Sequence, residues 1–127
     1  MAVTGIGGLF FRARDPAALG AWYSDHLHIG PGHAAPDTGA PDEHLWLTQG
    51  GPVVFAPFPA DSDYFAPDKP FMLNLRVTDL AAMIAALTAS EIAIETRVEW
   101  DAMGLGHFAR LHDPEGNPIE LWEPAAG

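Results

Sequence analysis

The chain has 127 residues, which is enough for one domain with a substantial core but not for two independent domains. Seventeen acidic against six basic residues give a net charge of -11, which argues against binding to the phosphates of nucleic acids and to anionic membranes. The sequence has no cysteine, which excludes disulfides, thiolate metal sites and a cysteine nucleophile.

The first predicted strand spans residues 5–13, where apolar positions alternate along the chain. One face of this strand is apolar and is expected to pack on the core. The opposite face carries Gly8, Phe10 and Arg12. Asp15, followed by a proline, then predicts the start of a helix that ends at the Gly-Pro-Gly sequence of residues 30–32.

Two more strands are predicted in the first half, at residues 43–48 and 53–58. His44 and Trp46 lie on the non-core face of the first of them, and Val54 occupies the matching face of the second. A histidine beside a tryptophan on that face suggests a ligand-binding wall. A tryptophan at a dimer contact explains the pair about as well.

Residues 59–70 are rich in proline and predict a linker to a second half. Residues 71–77 predict the next strand, and Asp79 predicts the N-cap of a second helix. The non-core face of this strand carries Met72, Asn74 and Arg76. Residues 91–100, rich in Ile, Val and Thr, predict a further strand.

The last segment, residues 108–123, predicts two antiparallel strands joined by the turn Asp-Pro-Glu-Gly-Asn of residues 113–117. Ile119 and Leu121 lie on one face of the final strand and Pro118, Glu120 and Trp122 on the other, so the single carboxylate points away from the packed side. The face turned away from the core carries Arg110, His112, Glu120 and Trp122.

Two pairs of segments repeat along the chain. Residues 51–57 align with residues 117–123. Residues 8–15 align with residues 72–79, and both of these last two segments lead into a predicted alanine-rich helix. The sequence therefore predicts an α+β fold, a single domain over residues 1–127 made of two βαβββ modules, residues 1–58 and 71–127, with residues 59–70 as the linker. Two small sheets placed edge to edge would enclose a half-open, barrel-like cleft, and we expect two chains to pair as a homodimer.

The two module starts and the stretch Asp-Pro-Glu-Gly-Asn-Pro-Ile-Glu-Leu resemble the vicinal oxygen chelate superfamily over nearly the whole chain. This superfamily includes glyoxalase I, extradiol dioxygenases and the bleomycin resistance proteins. The turn motif is fairly specific for the fold and poorly specific for activity.

The resemblance implies four metal-ligand positions, which in this sequence are Gly8, Val54, Met72 and Glu120. Only Glu120 is a donor, whereas a catalytic metal generally needs about three protein ligands. We therefore expect no metal cofactor at this inherited site. A divalent metal stays possible if substitute ligands move in, and the candidates are His44, His107 and His112.

Two classes of function remain open. The first is a metal-free protein that binds, and in this way sequesters, a small planar organic molecule in the cleft between the modules. The expected ligand-binding residues are Phe10, Arg12, His44, Trp46, Val54, Met72, Asn74, Arg76, Arg110 and Trp122. The second is an enzyme, either a metal-dependent lyase, isomerase or dioxygenase with displaced ligands, or a metal-free acid–base catalyst that uses Glu120 and His112. Glu120 in an internal ion pair with a cleft arginine explains the carboxylate about as well as any functional role.

The expected partners follow from charge and hydropathy. A small-molecule ligand is expected, and neither nucleic acid nor a membrane. No apolar run reaches the roughly 20 residues of a membrane span, and the first residues lack the features of a signal peptide, so the sequence predicts a cytoplasmic protein.

Overall fold

The computed structural model describes residues 1, 6–30, 46, 48–51 and 53–126. Their helices and strands follow the order α1 (Pro16–Leu27), β1 (Leu73–Arg76), α2 (Leu80–Ala89), α3 (Val98–Asp101), β2 (Gly106–His112) and β3 (Pro118–Pro124). The strands form a mixed sheet in the order β1-β3-β2, in which β1 is parallel and β2 antiparallel to β3. The fold is therefore a small α+β fold.

The two faces of the sheet differ as the alternation of the sequence predicts. Residues in register across all three strands form rows, and alternate rows point to opposite faces. The apolar rows are Leu73, Ile119 and Leu111, and Leu75, Leu121 and Ala109. Ile119, Leu121 and Ala109 are fully buried, so this face forms the core.

Helices α1 and α2 pack on this apolar face. Leu19, Tyr23 and Leu27 of α1 and Leu80 and Leu87 of α2 belong to the same buried cluster as the apolar rows. Each helix begins as predicted, because the side chains of Asp15 and Asp79 accept the backbone N–H three residues later, both at 3.1 Å. Within the described ranges, none of the three helices is long and apolar enough to cross a membrane.

The turn between β2 and β3 is held by Asp113. Its Oδ1 accepts the backbone N–H groups of Glu115 and Asn117 at 2.9 and 3.0 Å, as expected of an aspartate that opens a turn. Its Oδ2 accepts the Tyr23 hydroxyl at 2.7 Å. This bond ties the first helix to the end of the sheet, and burial together with the Asp113 carboxylate raises the pKa of Tyr23.

The strands predicted in the first half are not confirmed. Residues 6–13 and 53–58 have no strand structure. Of the strand predicted at residues 43–48, residues 43–45 and 47 lie outside the described residues. Alternation makes a strand only where a partner edge supplies hydrogen bonds, and β1 pairs with β3 alone among the described strands. Large apolar side chains of both segments are consequently exposed, including Phe10 and Phe55.

The strand predicted at residues 91–100 is wrong for most of its length. Glu95 makes a single bridge to Arg110 of β2, and the chain then turns into α3. Ile, Val and Thr favour strands only where cross-strand packing supports them, and this support ends after one bridge. The turn places Trp100 of α3 against the sheet, where it contacts Arg110.

Candidate functional site

A polar row crosses the face of the sheet opposite the core. Asn74 of β1, Glu120 of β3 and Arg110 of β2 lie side by side in register. Glu120 and Arg110 are each only 6% exposed. A buried charge costs free energy unless it is paired or hydrogen-bonded. Buried charged side chains are therefore candidates for a functional site, and this row contains two of them.

Both carboxylate oxygens of Glu120 accept hydrogen bonds. The Asn74 amide donates to Oε1 at 2.8 Å, and the Tyr64 hydroxyl donates to Oε2 at 2.6 Å. Burial, followed by the bond to Glu120, raises the pKa of Tyr64 to about 12, so its hydroxyl stays protonated and remains a donor at neutral pH. Both oxygens of Glu120 are therefore held by protein donors within this cluster.

Arg110 supplies the positive charge of the row. Its Nη2 lies 3.6 Å from Glu120 Oε2, which is the internal ion pair that the sequence left open. Its Nη1 donates to the Tyr64 carbonyl at 3.0 Å, and its Cζ lies 4.8 Å from the Tyr64 ring centre and 5.2 Å from the Trp100 ring centre. Arginine over aromatic faces is attracted by about 0.5 to 2 kcal/mol per ring.

The buried Nε and Nη2 of Arg110 have no hydrogen-bond partner in the described part of the chain. These two nitrogens form one side of the guanidinium, whose parallel N–H groups fit the two oxygens of a carboxylate. We refer to them as the open fork of Arg110.

A small cavity adjoins Arg110. It has a volume of about 160 Å³ and is lined by Asp63, Tyr64, Glu95, Arg97, Trp100 and Arg110. A cavity of roughly 150 Å³ can hold one benzene ring. Arg97 donates both Nε and Nη2 to Glu95 Oε2, at 3.1 and 2.9 Å, so the fork of Arg97 is occupied where that of Arg110 is open.

The next row of the same face is aromatic. Trp122 stacks on Phe108 with ring centres 6.2 Å apart and planes inclined by 5°, and its indole N–H donates to the Leu105 carbonyl at 2.9 Å. Arg76 completes this row and donates from Nη2 to the Gln49 carbonyl at 2.8 Å. The Trp122 ring is thus fixed beside the polar row.

The other predicted site residues are less closely grouped. Phe10 and Val54 are exposed on segments without strand structure, Gly8 lies in the same segment as Phe10, and Met72 is half-buried just before β1. His112 is exposed at the end of β2, opposite Pro118 and not Glu120. Trp46 is 39% exposed, and no ring contact joins it to Trp122 among the described residues. His44 lies outside the described residues.

Arg12 lies on a different pocket. This open cleft of about 480 Å³ is lined by Arg12, Ala13, Arg14, Lys69 and Glu115, and contains no member of the polar row.

Sequence reasoning missed Tyr64 and Trp100. Tyr64 comes from the segment predicted as a linker and Trp100 from the segment predicted as a strand, so neither was assigned to the cleft. The adjacent aromatics Tyr64 and Phe65 in a proline-rich segment were the available signal, because a solvated linker has little use for two large rings.

Metal donors are sparse where the chain is described. In those ranges no three His, Asp or Glu side chains come together so as to hold a metal ion. The hydrogen bonds of Glu120 go to Tyr64 and Asn74, which are an uncharged phenol and an amide.

Comparison with known proteins supplies a family and a fold. Residues 8–122 match the model of a glyoxalase-like domain. The structure is similar to that of TnmS3, an antibiotic binding protein from Streptomyces sp. CB03234, with a TM-score of 0.58 and 21% sequence identity, over 98% of this chain and 99% of that chain. No curated protein matches the sequence.

Proposed function

Because the chain belongs to the glyoxalase-like domain family of the vicinal oxygen chelate superfamily, we propose that it binds a small planar organic molecule on the polar face of the sheet and sequesters it. The observation that carries this proposal is a buried Glu120–Arg110 row with an adjoining cavity of about 160 Å³. The rings of Tyr64 and Trp100 line this cavity, and Trp122 stacks on Phe108 in the next row of the same face. Flat apolar walls with a few fixed polar groups are typical of ligand sites.

Binding without a metal is part of the proposal. Three of the four inherited ligand positions hold Gly8, Val54 and Met72, which offer no hard donor. Glu120, at the fourth position, has both oxygens engaged by protein donors. The residues present do not fit a glyoxalase-type metal centre.

Binding, rather than catalysis, also suits the state of Glu120. A general base needs a free lone pair within reach of the substrate proton. Each carboxylate oxygen of Glu120 already accepts a hydrogen bond, one from Tyr64 and one from Asn74. His112, the proposed acid–base partner, lies opposite Pro118 at the end of its strand. TnmS3, to which the fold is similar, is an antibiotic binding protein, and this supports drug sequestration as the role of the site.

The full cleft and the dimer belong to the same proposal. We place the first βαβββ module at residues 1–58 and expect its apolar segments to complete the cleft in a homodimer, in the cytoplasm. The identical Asp15 and Asp79 caps of the two helices support the repeat. Exposed apolar side chains on residues 6–11 and 53–58 support a further partner surface.

The test is tryptophan fluorescence titration with planar aromatic compounds of positive and negative charge, including a glycopeptide antibiotic of the bleomycin type. We expect saturable quenching by at least one compound. Trp122→Ala should weaken its binding by about 1 to 3 kcal/mol, because the variant removes a central apolar contact. Trp46→Ala should weaken it similarly if the first module closes over the same ligand.

Trp22→Phe serves as the matched control, since Trp22 packs against the hydrophobic core, which lies on the opposite face of the sheet. This variant should leave affinity unchanged. If no compound of either charge quenches the wild-type fluorescence, or if Trp122→Ala binds as tightly as wild type, the polar face is not the binding site.

A further inference from the structure

We infer that the ligand carries a carboxylate, or an equivalent pair of acceptor oxygens, and that the open fork of Arg110 receives it. This inference rests on the proposed function and deepens it, since that function names neither the charge of the ligand nor the residue that selects it.

The charge of Glu120 is already satisfied within the protein. Its two oxygens accept from Asn74 and Tyr64 at 2.8 and 2.6 Å, and Arg110 lies 3.6 Å away. A cationic ligand would have to displace one of these donors from Glu120. Its binding free energy would then gain only the difference between the new contact and the one that is lost. Glu120 is therefore poorly suited to select a cation.

The fork of Arg110, in contrast, lacks acceptors. Nη1 is bonded to the Tyr64 carbonyl, while Nε and Nη2 have no hydrogen-bond partner in the described ranges, although the residue is 6% exposed. A buried donor without a partner costs about 1 to 3 kcal/mol, and more when it is charged. An acceptor that reaches both nitrogens would recover that free energy, so the fork favours ligands with two adjacent oxygens.

Neighbouring carboxylates do not supply this acceptor. Glu95 is bonded to Arg97, and Glu120 approaches only Nη2, at an ion-pair distance of 3.6 Å. Asp63 lines the same cavity, but among the described residues the Arg110 guanidinium donates a hydrogen bond only to the Tyr64 carbonyl.

The cavity beside Arg110 sets the size of the group that enters. Its volume of about 160 Å³ accommodates a single ring that carries a carboxylate. Tyr64 and Trp100 bound it, and both lie outside the sheet, Tyr64 in an irregular segment and Trp100 on the one-turn helix α3. Nε and Nη2 of Arg110 are buried, so we expect ligand entry to require a shift of one of these rings, and such a shift breaks no strand.

The experiment compares three compounds of one shape, namely benzoate, benzamide and benzylammonium. Dissociation constants are measured by NMR titration of the wild-type protein and of Arg110→Lys and Arg14→Lys. Lysine keeps the positive charge beside Glu120 but cannot offer two parallel N–H groups. Arg14 is the matched control, because its side chain is 83% exposed and lies on the other pocket.

We expect wild type to bind benzoate at least about tenfold more tightly than benzamide or benzylammonium, which corresponds to two charge-assisted hydrogen bonds. Arg110→Lys should reduce this ratio to within about threefold, and Arg14→Lys should retain it.

Equal affinity for the three compounds in wild type would overturn the inference, as would a ratio that survives Arg110→Lys. Either result leaves the proposed function standing, since planar compounds still bind. Binding of no compound would overturn the carboxylate site, while the fluorescence titration with larger ligands decides the proposed function separately. The wild-type comparison is decisive even if Arg110→Lys fails to fold.

Discussion

Tyr64 is the residue that links the irregular segment before β1 to the polar face of the sheet. Its hydroxyl donates to Glu120 and its carbonyl accepts from Arg110 at 3.0 Å, so one residue contacts both charges of the row. Its ring also contacts Trp100, with centres 6.4 Å apart. Fixing Tyr64 therefore fixes the geometry of the whole cluster.

Removal of the Tyr64 hydroxyl should affect both stability and binding. In Tyr64→Phe, Glu120 Oε2 keeps only the ion pair with Arg110, and a buried acceptor that loses its donor costs about 1 to 3 kcal/mol. We expect urea unfolding to show a loss of stability in this range, together with a changed dissociation constant for the ligand.

Tyr23→Phe is the matched control for this substitution. Tyr23 donates to Asp113 at 2.7 Å below the core face, so its loss should lower stability and leave ligand affinity unchanged. An unfolding free energy for Tyr64→Phe equal to that of wild type would contradict the proposed bond to Glu120.

The sequence predicted the neighbours of Glu120 within the sheet but not those outside it. A period of two residues decides which side chains share a face, so Asn74, Arg110, Glu120 and Trp122 could be placed together from alternation and turn chemistry alone. Tyr64 lies in a segment without periodicity. Its contact depends on how the chain returns across the sheet, which local sequence does not encode.

At the scale of elements, the end of α2 contains a strained position. Glu91 has φ +62°, and the chain closes over it with bonds from Ile92 N–H to the Leu87 carbonyl and from Glu91 N–H to the Thr88 carbonyl, at 3.0 and 2.9 Å. This is the left-handed helix end that glycine usually occupies. A non-glycine residue there costs roughly 1 to 2 kcal/mol.

Glu91→Gly should accordingly stabilise the protein by about 1 kcal/mol, because it relieves the left-handed backbone. Urea unfolding measures the change. Ala86→Gly, inside the same helix, should instead destabilise by about 1 kcal/mol. Destabilisation by both substitutions would show that the helix end does not have the conformation described.

The contact between α3 and β2 should depend on pH. Asp101 accepts the Phe108 N–H at 3.1 Å and lies 3.0 Å from Nδ1 of His107, and this hydrogen bond, with the carboxylate charge, raises the pKa of His107 above its ordinary value of 6.5. The protonated histidine is favoured in the folded state. Its contribution to stability is therefore complete below pH 6.5 and is lost as pH rises through the higher folded value.

His107→Gln should remove this dependence. We expect the wild-type free energy of unfolding to fall relative to that of the variant as pH increases from about 6 to 8. Parallel pH profiles of the two proteins would contradict an interaction between His107 and Asp101.

Elements were predictable where local chemistry and tertiary packing agree. The helices after Asp15 and Asp79, the Asp113 turn and the last two strands each have both a local signal and a place in the core. Residues 91–100 have the composition of a strand but form only one bridge, between Glu95 and Arg110. The weak local preference for a strand is therefore not realised, and the chain turns into α3.

At the scale of the molecule, exposed apolar side chains are concentrated in two segments. Phe10 is 96% exposed, Phe55 85% and Val54 69%, within residues 6–11 and 53–58. Large exposed apolar side chains that lie close together in the sequence favour an interaction surface, and the outer edge of β1 is unpaired among the described strands. The proposed two-module arrangement would bring these segments to the cleft, and a second copy of the chain is the partner that we propose for them.

Light scattering at micromolar concentration should therefore give twice the chain mass of 13.6 kDa. Phe55→Ser should shift the protein towards the monomer, because it places a polar group in the covered surface. Met103→Ser, at a residue 72% exposed outside the two segments, is the control and should leave the mass unchanged. A wild-type protein of monomer mass would contradict the proposed dimer.

Binding of a planar ligand to the polar face of the sheet, as we propose, can be followed directly through the indole N–H resonances of the tryptophans. Trp100 and Trp122 lie on or against that face, whereas Trp22 packs with the core and contacts Tyr23. The four indole signals are assigned by single Trp→Phe variants and followed during titration with the compound that binds most tightly in the fluorescence panel. We predict saturable shifts of the Trp100 and Trp122 signals and a constant Trp22 signal. A saturable shift of the Trp22 signal with unchanged Trp100 and Trp122 signals would place the ligand elsewhere and contradict binding at the polar face.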